Sequence, residues 1–268
     1  MLIKHVKILI INEVNILFDT HTHINTKKYE NILNKTISNA KENGVNKILA
    51  VGMDLETSKQ AIKIANEYNE VYATVGIHPA YVNENNHLEL DSLYKNEKVV
   101  AVGEIGLDFY WTIENKELQL KVFEEQILKA IKLNLPVIIH TRNSFDETYE
   151  IVKKYQGKLT GVFHCFSSDL KDAIKTIELG LYIGIDGPIT FKNKNKELIN
   201  IVENIDLKHI LIETDSPYLT PEPFRGKMNE PANVKYVAEK IAEIKNISLE
   251  EVIKQTTINA NKLFKIRG

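Results

Sequence analysis

The chain has 268 residues, 43% hydrophobic and 26% charged, so it can bury one large core but is short for two average domains. Its formal net charge of -2 argues against a protein that coats nucleic acid, because such proteins are usually basic and bind mainly through phosphate contacts. It permits an enzyme that binds one phosphate with a metal and a few cations. The single cysteine, Cys165, excludes an intramolecular disulfide and suits the reducing cytoplasm, where we expect the protein.

Residues 1–15 form an N-terminal extension before the first predicted strand, and residues 16–268 form the predicted single domain. The extension is an additional strand, a flexible lead or a misassigned start. The apolar stretch 8–18 is interrupted by Asn12, Glu13 and Asn15 and is too short to span a bilayer. We therefore expect no membrane span. We also expect no signal peptide, since no small-residue cleavage site is present.

Eight short runs rich in Val, Ile, Leu and Ala recur along the chain, apolar nearly throughout, as in parallel strands buried on both faces. The predicted strands are residues 15–18, 47–52, 71–77, 99–105, 136–140, 159–164, 181–186 and 209–214. Eight segments with helical spacing alternate with them: 29–44, 55–68, 117–134, 145–157, 167–180, 195–205, 229–246 and 248–266. The pattern predicts a single (β/α)8 TIM barrel, with an open doubly wound sheet as the less favoured alternative.

Five of the eight histidines fall at the carboxyl ends of predicted strands, where a TIM barrel has its active site. Glu104 ends the fourth predicted strand, and Glu213 and Asp215 end the eighth. Imidazoles and carboxylates that converge on one barrel mouth indicate divalent metal ligation. The five histidines are His21, His23, His78, His140 and His164.

The spacing of these residues indicates which side chains share a face, because successive side chains of a strand alternate. His21 and His23 share a face and can chelate one ion, and Glu213 and Asp215 also share a face. The whole set is too large for one ion, whereas two ions usually need a bridging carboxylate, for which Glu104 is the natural candidate. The mixed nitrogen and oxygen ligands fit two divalent ions, with Mg²⁺, Mn²⁺, Zn²⁺ and iron all compatible.

Eight motifs, in order along the chain, make it resemble the TatD family of metal-dependent hydrolases, within the amidohydrolase-like barrels. The resemblance runs from Phe18 to Phe264 and implies a metal-dependent deoxyribonuclease, often of the 3′ to 5′ exonuclease type. The motifs are "FDTHTH", "GIHP", "VGEIGLDFYW", "PVIIHTR", "GVFHCFS", "YIGIDGPITF", "IETDSPYLTP" and "RGKMNEPANV".

The same resemblance implies how the residues share the chemistry. His78 contacts the substrate phosphate or the leaving group. Asp215 orients the attacking water and accepts its proton, so Asp215, Glu104 and His78 are the predicted catalytic residues. The ligands are His21, His23 and Asp215 for the first metal, His140 and His164 for the second, and Glu104 for both.

Three further residues are candidates for substrate binding. Arg142 follows His140 on the same face and could hold phosphate in a bidentate fork, as could Arg225 on the last loop. Surface salt bridges are the alternative for both arginines. Asp108 either binds substrate or starts a turn.

Other residues near the predicted strand ends have open or supporting roles. We expect Glu213 to hold a ligand rather than to bind metal, and Cys165 to pack in the core. Asp19 either supports a ligand or is a charge that must find a partner in the core. The aromatic run 109–111 stacks on a base or packs within its own loop, and loop packing is slightly favoured.

A nuclease competes with three other functions. An amide or ester hydrolase of the same superfamily, acting on a lactone or cyclic amide, often bridges its metals with a carboxylated lysine, and no lysine ends the fourth predicted strand. An aminoacyl-tRNA deacylase is the second rival. A barrel that binds a ligand without turnover is the third, and the complete ligand set argues against it. The expected substrate is DNA, through single-stranded ends, for a monomer without membrane association.

Overall fold

The computed structural model describes residues 16–83, 86–111, 113–193 and 195–266, and the predicted extension 1–15 lies outside them. Eight parallel strands follow one another in chain order through a single sheet, which forms the predicted barrel. They are β1 (Leu17–Thr22), β2 (Val45–Ala50), β3 (Val71–Val75), β4 (Val99–Asp108), β5 (Val137–Arg142), β6 (Gly161–Phe163), β7 (Tyr182–Ile185) and β8 (Ile210–Ile212).

Each of the eight predicted helical segments contains one α-helix, although the first begins four residues later than predicted. The connection from β3 to β4 contains only short 3-10 turns among the residues that are described there. None of the helices in the described ranges is long and apolar enough to cross a membrane. The helices are α1 (Leu33–Glu42), α2 (Leu55–Glu67), α3 (Lys116–Leu133), α4 (Phe145–Lys153), α5 (Leu170–Glu178), α6 (Lys196–Asn204), α7 (Val234–Lys245) and α8 (Leu249–Phe264).

Three strands, β1, β4 and β5, extend further at their carboxyl ends than the sequence predicts, which changes where the site residues lie. β5 continues to Arg142, two residues beyond the predicted end at His140. β1 continues to Thr22, which pairs with β2 and bridges Ser216, so His21 lies inside the strand rather than after it. β4 continues past Glu104, because its pairing with β5 resumes at Ile105 after an irregularity. The predicted strand ends at 18 and 105 are therefore wrong by four and three residues.

Apolar side chains pack on both sides of the strands, which explains why their sequences are apolar nearly throughout. The larger cluster lies between the strands and the surrounding helices. The smaller cluster draws side chains from every strand and is closed by α8, so it fills the interior of the barrel. We call it the barrel floor; it contains Phe18, Leu49, Tyr72, Ala101, Ile138, Val162, Tyr182 and Leu211 of the strands, with Leu263 and Phe264 of α8.

The barrel closes between β1 and the residues that follow β8. The backbone N–H of Asp215 donates to the carbonyl of His21 at 2.9 Å, and the N–H of His23 donates to the carbonyl of Ser216 at 2.7 Å. These backbone bonds place the paired histidines of β1 beside an aspartate from the far end of the chain.

Candidate metal centre

Glu104 lies at the centre of the cluster, and its Oε2 oxygen faces the histidines of β1. This oxygen is 3.5 Å from His21 Nε2 and 3.7 Å from His23 Nε2. Asp215 completes the group, because its Oδ1 lies 3.7 Å from His21 Nε2 and 3.3 Å from His23 Nε2. The structure thus brings together all four ligands predicted for the first metal.

The other oxygen of Glu104, Oε1, faces a second group of histidines. It lies 2.8 Å from His164 Nε2 and 2.9 Å from His140 Nδ1. His78 Nε2 is 3.5 Å away from the same oxygen. The two oxygens of one buried carboxylate therefore face the two histidine pairs that the resemblance implies as metal ligands, and His78, implied as a substrate contact, lies beside the second pair.

The distances between the imidazoles fit a shared ion. His21 Nε2 and His23 Nε2 are 3.3 Å apart, and so are His140 Nδ1 and His164 Nε2. Two imidazoles bound to one tetrahedral zinc have nitrogens about 3.3–3.4 Å apart, as the usual bond lengths require. The donor set of imidazoles and carboxylates, with this spacing, fits divalent metal ions.

Burial and neighbouring charges shift the ionisation of the cluster strongly. Burial acts to raise the pKa of Glu104, but the imidazoles of His164, His78 and His140 outweigh it and hold the pKa well below its usual range. Burial acts to lower the pKa of His164, but Glu104 and Glu213 outweigh it and hold that pKa well above the usual value. Glu104 therefore stays ionised, as a carboxylate that holds cations must be.

His78 is placed as a hydrogen-bond donor. It precedes a 3-10 turn, and its Nδ1 accepts the backbone N–H of Ala80 at 3.1 Å, so the neutral ring carries its proton on Nε2. Burial, as the largest cause, lowers the pKa of His78 to about 3, so the ring is neutral at pH 7. His78 is close enough to Glu104 and His140 to join a metal group, but this tautomer presents an N–H rather than a lone pair.

Asp108 holds both a histidine and a turn. Its Oδ2 lies 3.2 Å from His140 Nε2, the ring nitrogen that faces away from Glu104. Its Oδ1 accepts the backbone N–H groups of Tyr110 and Trp111, both at 2.9 Å. Asp108 therefore orients His140 as carboxylates orient metal-bound histidines, and the structure places it behind a ligand and at a turn.

Glu213 lies behind His164, on the side away from Glu104. Its Oε1 is 3.7 Å from His164 Nδ1 and accepts the backbone N–H of Cys165 at 2.5 Å. A side chain at Gly184 of β7 would lie within 2.6 Å of both Glu213 oxygens, so glycine leaves the space that this carboxylate occupies.

Burial raises the pKa of the Cys165 thiol well above its usual value.

Asp19 is fully buried and ties β1 to the residues after β8. Its Oδ1 accepts the backbone N–H of Thr214 at 2.9 Å, and its Oδ2 accepts the Thr214 hydroxyl at 2.6 Å. Burial raises the pKa of Asp19 well above its usual value. The open question about Asp19 thus has a structural answer: it fixes the backbone that precedes Asp215. Thr214 itself was not predicted, since a threonine between two acidic residues carries no metal-site signal.

The two arginines proposed for phosphate binding both pack on aromatic rings. The Arg142 guanidinium lies 4.2 Å from the centre of the Tyr110 ring, and that of Arg225 lies 3.6 Å from the centre of the Phe191 ring.

Asp186, in the loop that follows β7, is a buried acidic residue that the sequence did not single out. Burial, with the charges of Glu213 and Asp215 next, raises the pKa of Asp186 well above its usual value.

The chain matches a family model described as TatD related DNase over residues 18–265. It is 42% identical to an uncharacterized metal-dependent hydrolase, YabD, of Bacillus subtilis, over 93% of this chain and 99% of the relative. It is 37% identical to another uncharacterized metal-dependent hydrolase, YcfH, of Escherichia coli, over 93% of this chain and 96% of that protein.

Solved structures agree with these sequence relatives. The crystal structure of YjjV, a TatD homologue from Escherichia coli, superposes with a TM-score of 0.89 at 28% identity, over 95% of this chain and all of that chain. A hydrolase of the TatD family from Entamoeba histolytica superposes with a TM-score of 0.82 at 26% identity, over 92% of this chain and 98% of that chain.

A parallel barrel with imidazoles and carboxylates gathered at its mouth defines the class of metal-dependent hydrolases, and the relatives carry that description. The match over nearly the whole chain shows that this protein belongs to the TatD family.

Proposed function

We propose that this hydrolase cleaves phosphodiesters and degrades DNA from its 3′ ends, with two divalent ions at the barrel mouth. The observation that carries the proposal is the position of Glu104, whose two oxygens face separate groups of histidines. Two ions joined by one carboxylate are the usual arrangement for in-line displacement at phosphorus. The description of the matched family as a DNase supports DNA as the substrate class.

The chain supplies six ligands for the proposed ions, which could be Mg²⁺, Mn²⁺ or Zn²⁺. When bound, such ions would provide an activated water and would neutralise charge on the phosphoryl group. The residues that would hold them are His21, His23 and Asp215 on one side, His140 and His164 on the other, and Glu104 between the two groups.

Asp215 and His78 have separate roles in proton transfer and charge stabilisation. The Asp215 side chain is 14% exposed and that of Glu104 is 3% exposed, so Asp215 is the carboxylate that an entering water can reach. It accepts the proton that the attacking water loses. The Nε2–H of His78 donates to the phosphoryl oxygen or to the leaving oxygen, and its neutral form keeps this proton in place.

Several wider parts of the function belong to the same proposal. Residues 16–268 act as one hydrolase domain, in the cytoplasm and as a monomer. The substrate enters as a single-stranded DNA end, and Arg142 and Arg225 bind phosphates beside the scissile one. Asp108 supports substrate binding by fixing His140 and the adjoining turn.

The decisive assay compares three substrates with the Mn²⁺-loaded protein: 3′-labelled single-stranded DNA, a lactone and a dihydropyrimidine. We expect labelled mononucleotide to appear at once from the DNA, and we expect Asp215→Asn to lose this release. Hydrolysis of only the lactone or the cyclic amide would overturn the proposal, and release of the label only within long fragments would overturn exonuclease action.

The two-ion centre has its own test. A crystal soaked in Mn²⁺ should show two anomalous peaks, one beside each oxygen of Glu104. A soaked crystal without density among the six ligands would contradict the centre, whatever the substrate proves to be.

A further inference from the structure

Two large aromatic side chains are exposed directly beside the candidate metal centre. Tyr110 is 53% exposed and Trp111 is 65% exposed, and both follow the last residue of β4. Their rings meet edge to face, with centroids 4.7 Å apart. Phe109 of the same run packs against the core, as the favoured expectation of loop packing has it, whereas Tyr110 and Trp111 leave half or more of their surface exposed. Exposed aromatic side chains beside a functional site indicate ligand binding.

The turn that carries these rings is fixed relative to the metal centre. One oxygen of Asp108 accepts the N–H groups of Tyr110 and Trp111, and the other lies 3.2 Å from His140 Nε2. Trp111 is three residues from Asp108, so their Cα atoms are at most about 11 Å apart. The same carboxylate therefore ties the turn that carries the rings to a histidine of the candidate metal centre.

Arg142 adds a positive charge to the same surface. Its guanidinium lies 4.2 Å from the centre of the Tyr110 ring and 5.4 Å from that of Trp111. Arg142 also ends β5, two residues after His140, and its backbone carbonyl accepts the N–H of Phe109. A cation stacked on two rings presents both a flat surface and donors for phosphate.

We propose that Tyr110, Trp111 and Arg142 form a stacking platform for a base of single-stranded nucleic acid. The proposal rests on the proposed phosphodiesterase function and says how the candidate site would recognise single-stranded nucleic acid. Proteins that bind single strands combine aromatic side chains, on which bases stack, with cations that follow the backbone. The platform explains how a protein with a net charge of -2 recognises a polyanion: stacking supplies affinity that bulk charge does not.

Trp111 is the only tryptophan of the chain, so its fluorescence reports on the platform alone. The experiment titrates hexathymidylate into the Mn²⁺-loaded Asp215→Asn protein, which does not consume the probe. A six-residue abasic strand of equal charge is the matched ligand. We expect hexathymidylate to quench Trp111 and to bind roughly 10- to 100-fold more tightly than the abasic strand. Equal affinities, or no quenching at saturation, would overturn the platform.

Variants test the same inference without the fluorophore, through the anisotropy of a labelled hexathymidylate. Trp111→Ala should weaken binding roughly 10- to 100-fold, and Trp111→Phe, which keeps an aromatic ring, should restore most of the affinity. Leu128→Ala removes a comparably exposed apolar side chain on α3, away from the platform, and should bind as the parent does. Equal losses in the alanine and phenylalanine variants would contradict stacking.

The outcomes for the platform and for the proposed function can be distinguished. If the wild-type protein releases no mononucleotide from DNA, the nuclease proposal fails, whereas quenching by hexathymidylate still shows the platform. If mononucleotide is released but base-bearing and abasic strands bind equally, the platform fails and the nuclease proposal remains.

Discussion

The barrel floor and the candidate metal centre are built by the same eight strands, yet they are packed in opposite ways. On the floor, Phe18 of β1 lies against Phe264 of α8, with ring centroids 5.9 Å apart, and packs within a cluster of apolar and aromatic side chains. A few residues further along the same strand, His21 is equally buried but is surrounded by imidazoles and carboxylates.

The hydrogen bonding of the two regions shows what each is for. Within the described parts of the chain, His21 Nδ1 and Glu213 Oε2 are buried without a hydrogen-bond partner, which costs stability. No side-chain atom of the floor is among these unpaired atoms, and burial of its apolar surface stabilises the fold. The comparison teaches that folding depends on the barrel floor and the proposed chemistry on the candidate metal centre. A substitution on the floor should therefore lower stability, and one in the candidate metal centre should lower activity.

The largest effect on activity is expected for Glu104→Gln. The change removes the charge that both groups of histidines face and replaces one carboxylate oxygen with an amide nitrogen, so the two proposed ions would lose their shared carboxylate. We expect hydrolysis to fall on the order of 10³-fold or more, as when a charge-stabilising group leaves an active centre. Elemental analysis should show loss of bound metal, while circular dichroism should show a folded barrel, since the floor is intact.

A surface glutamate provides the control for this substitution. Glu124→Gln, on α3, removes an acidic side chain that contacts Lys154 and Tyr155 outside the centre. It should leave metal content and hydrolysis unchanged. Hydrolysis by Glu104→Gln within tenfold of the parent would contradict the bridging role.

Phe18→Ala should have the converse effect. The side chain is 1% exposed and packs against Phe264 and Tyr72, so its loss leaves a cavity in the floor. The free energy of unfolding should fall by about 3–5 kcal/mol, measured by urea denaturation. The fraction of the variant that remains folded should still bind metal. An unchanged unfolding midpoint together with lost metal binding would contradict the division of roles between the barrel floor and the candidate metal centre.

Much of the fold could be predicted because buried parallel strands and amphipathic helices have distinct patterns. The strand limits could not, because they depend on partners that are distant in sequence. Thr22 belongs to β1 through its pairing with β2 and Ser216, and residues 106–108 belong to β4 through their pairing with β5. Neither partner is visible in the local sequence.

Some features of the candidate site could likewise be predicted from the sequence, and others could not. The paired histidines of β1 could be predicted because three other histidines and the acidic residues also fall at predicted strand ends, and their approach to Asp215 follows from barrel closure. The supporting bonds could not be predicted, since Asp19 meets Thr214 across the whole length of the chain. Metal binding by these residues stays a prediction until ions are measured.

A smaller effect is expected where a residue supports a ligand without joining the ligand set. Asp108→Asn keeps an oxygen for the turn but presents a neutral amide to His140 Nε2, so the ring loses its charged partner. We expect roughly a 10- to 100-fold loss of metal affinity or hydrolysis, typical of such supporting groups. Calorimetric titration with Mn²⁺ measures it. An unchanged affinity would show that the ring is held by packing alone.

The smallest effect concerns a titrating residue outside the metal centre, His209, which directly precedes β8. Burial, and next the charge of Lys208, lower the pKa of His209 below 6.5, although Asp206 acts in the opposite direction and Lys262 adds to the decrease. Because the folded state binds the proton more weakly than the unfolded state does, His209 costs no stability above pH 6.5 and lowers it as the pH falls below that value.

His209→Gln removes this group, so the free energy of unfolding of the variant should decline less than that of the parent between pH 7 and pH 5. Urea denaturation at several pH values in chelator measures the difference. Lys208→Gln is the matched variant: it keeps the histidine but removes a neighbouring positive charge, so its pH dependence should lie between the other two. If the free energy of unfolding depends on pH in the same way in all three proteins, His209 titrates alike in the folded and unfolded chain. The pH dependence of stability would then arise from other titrating groups.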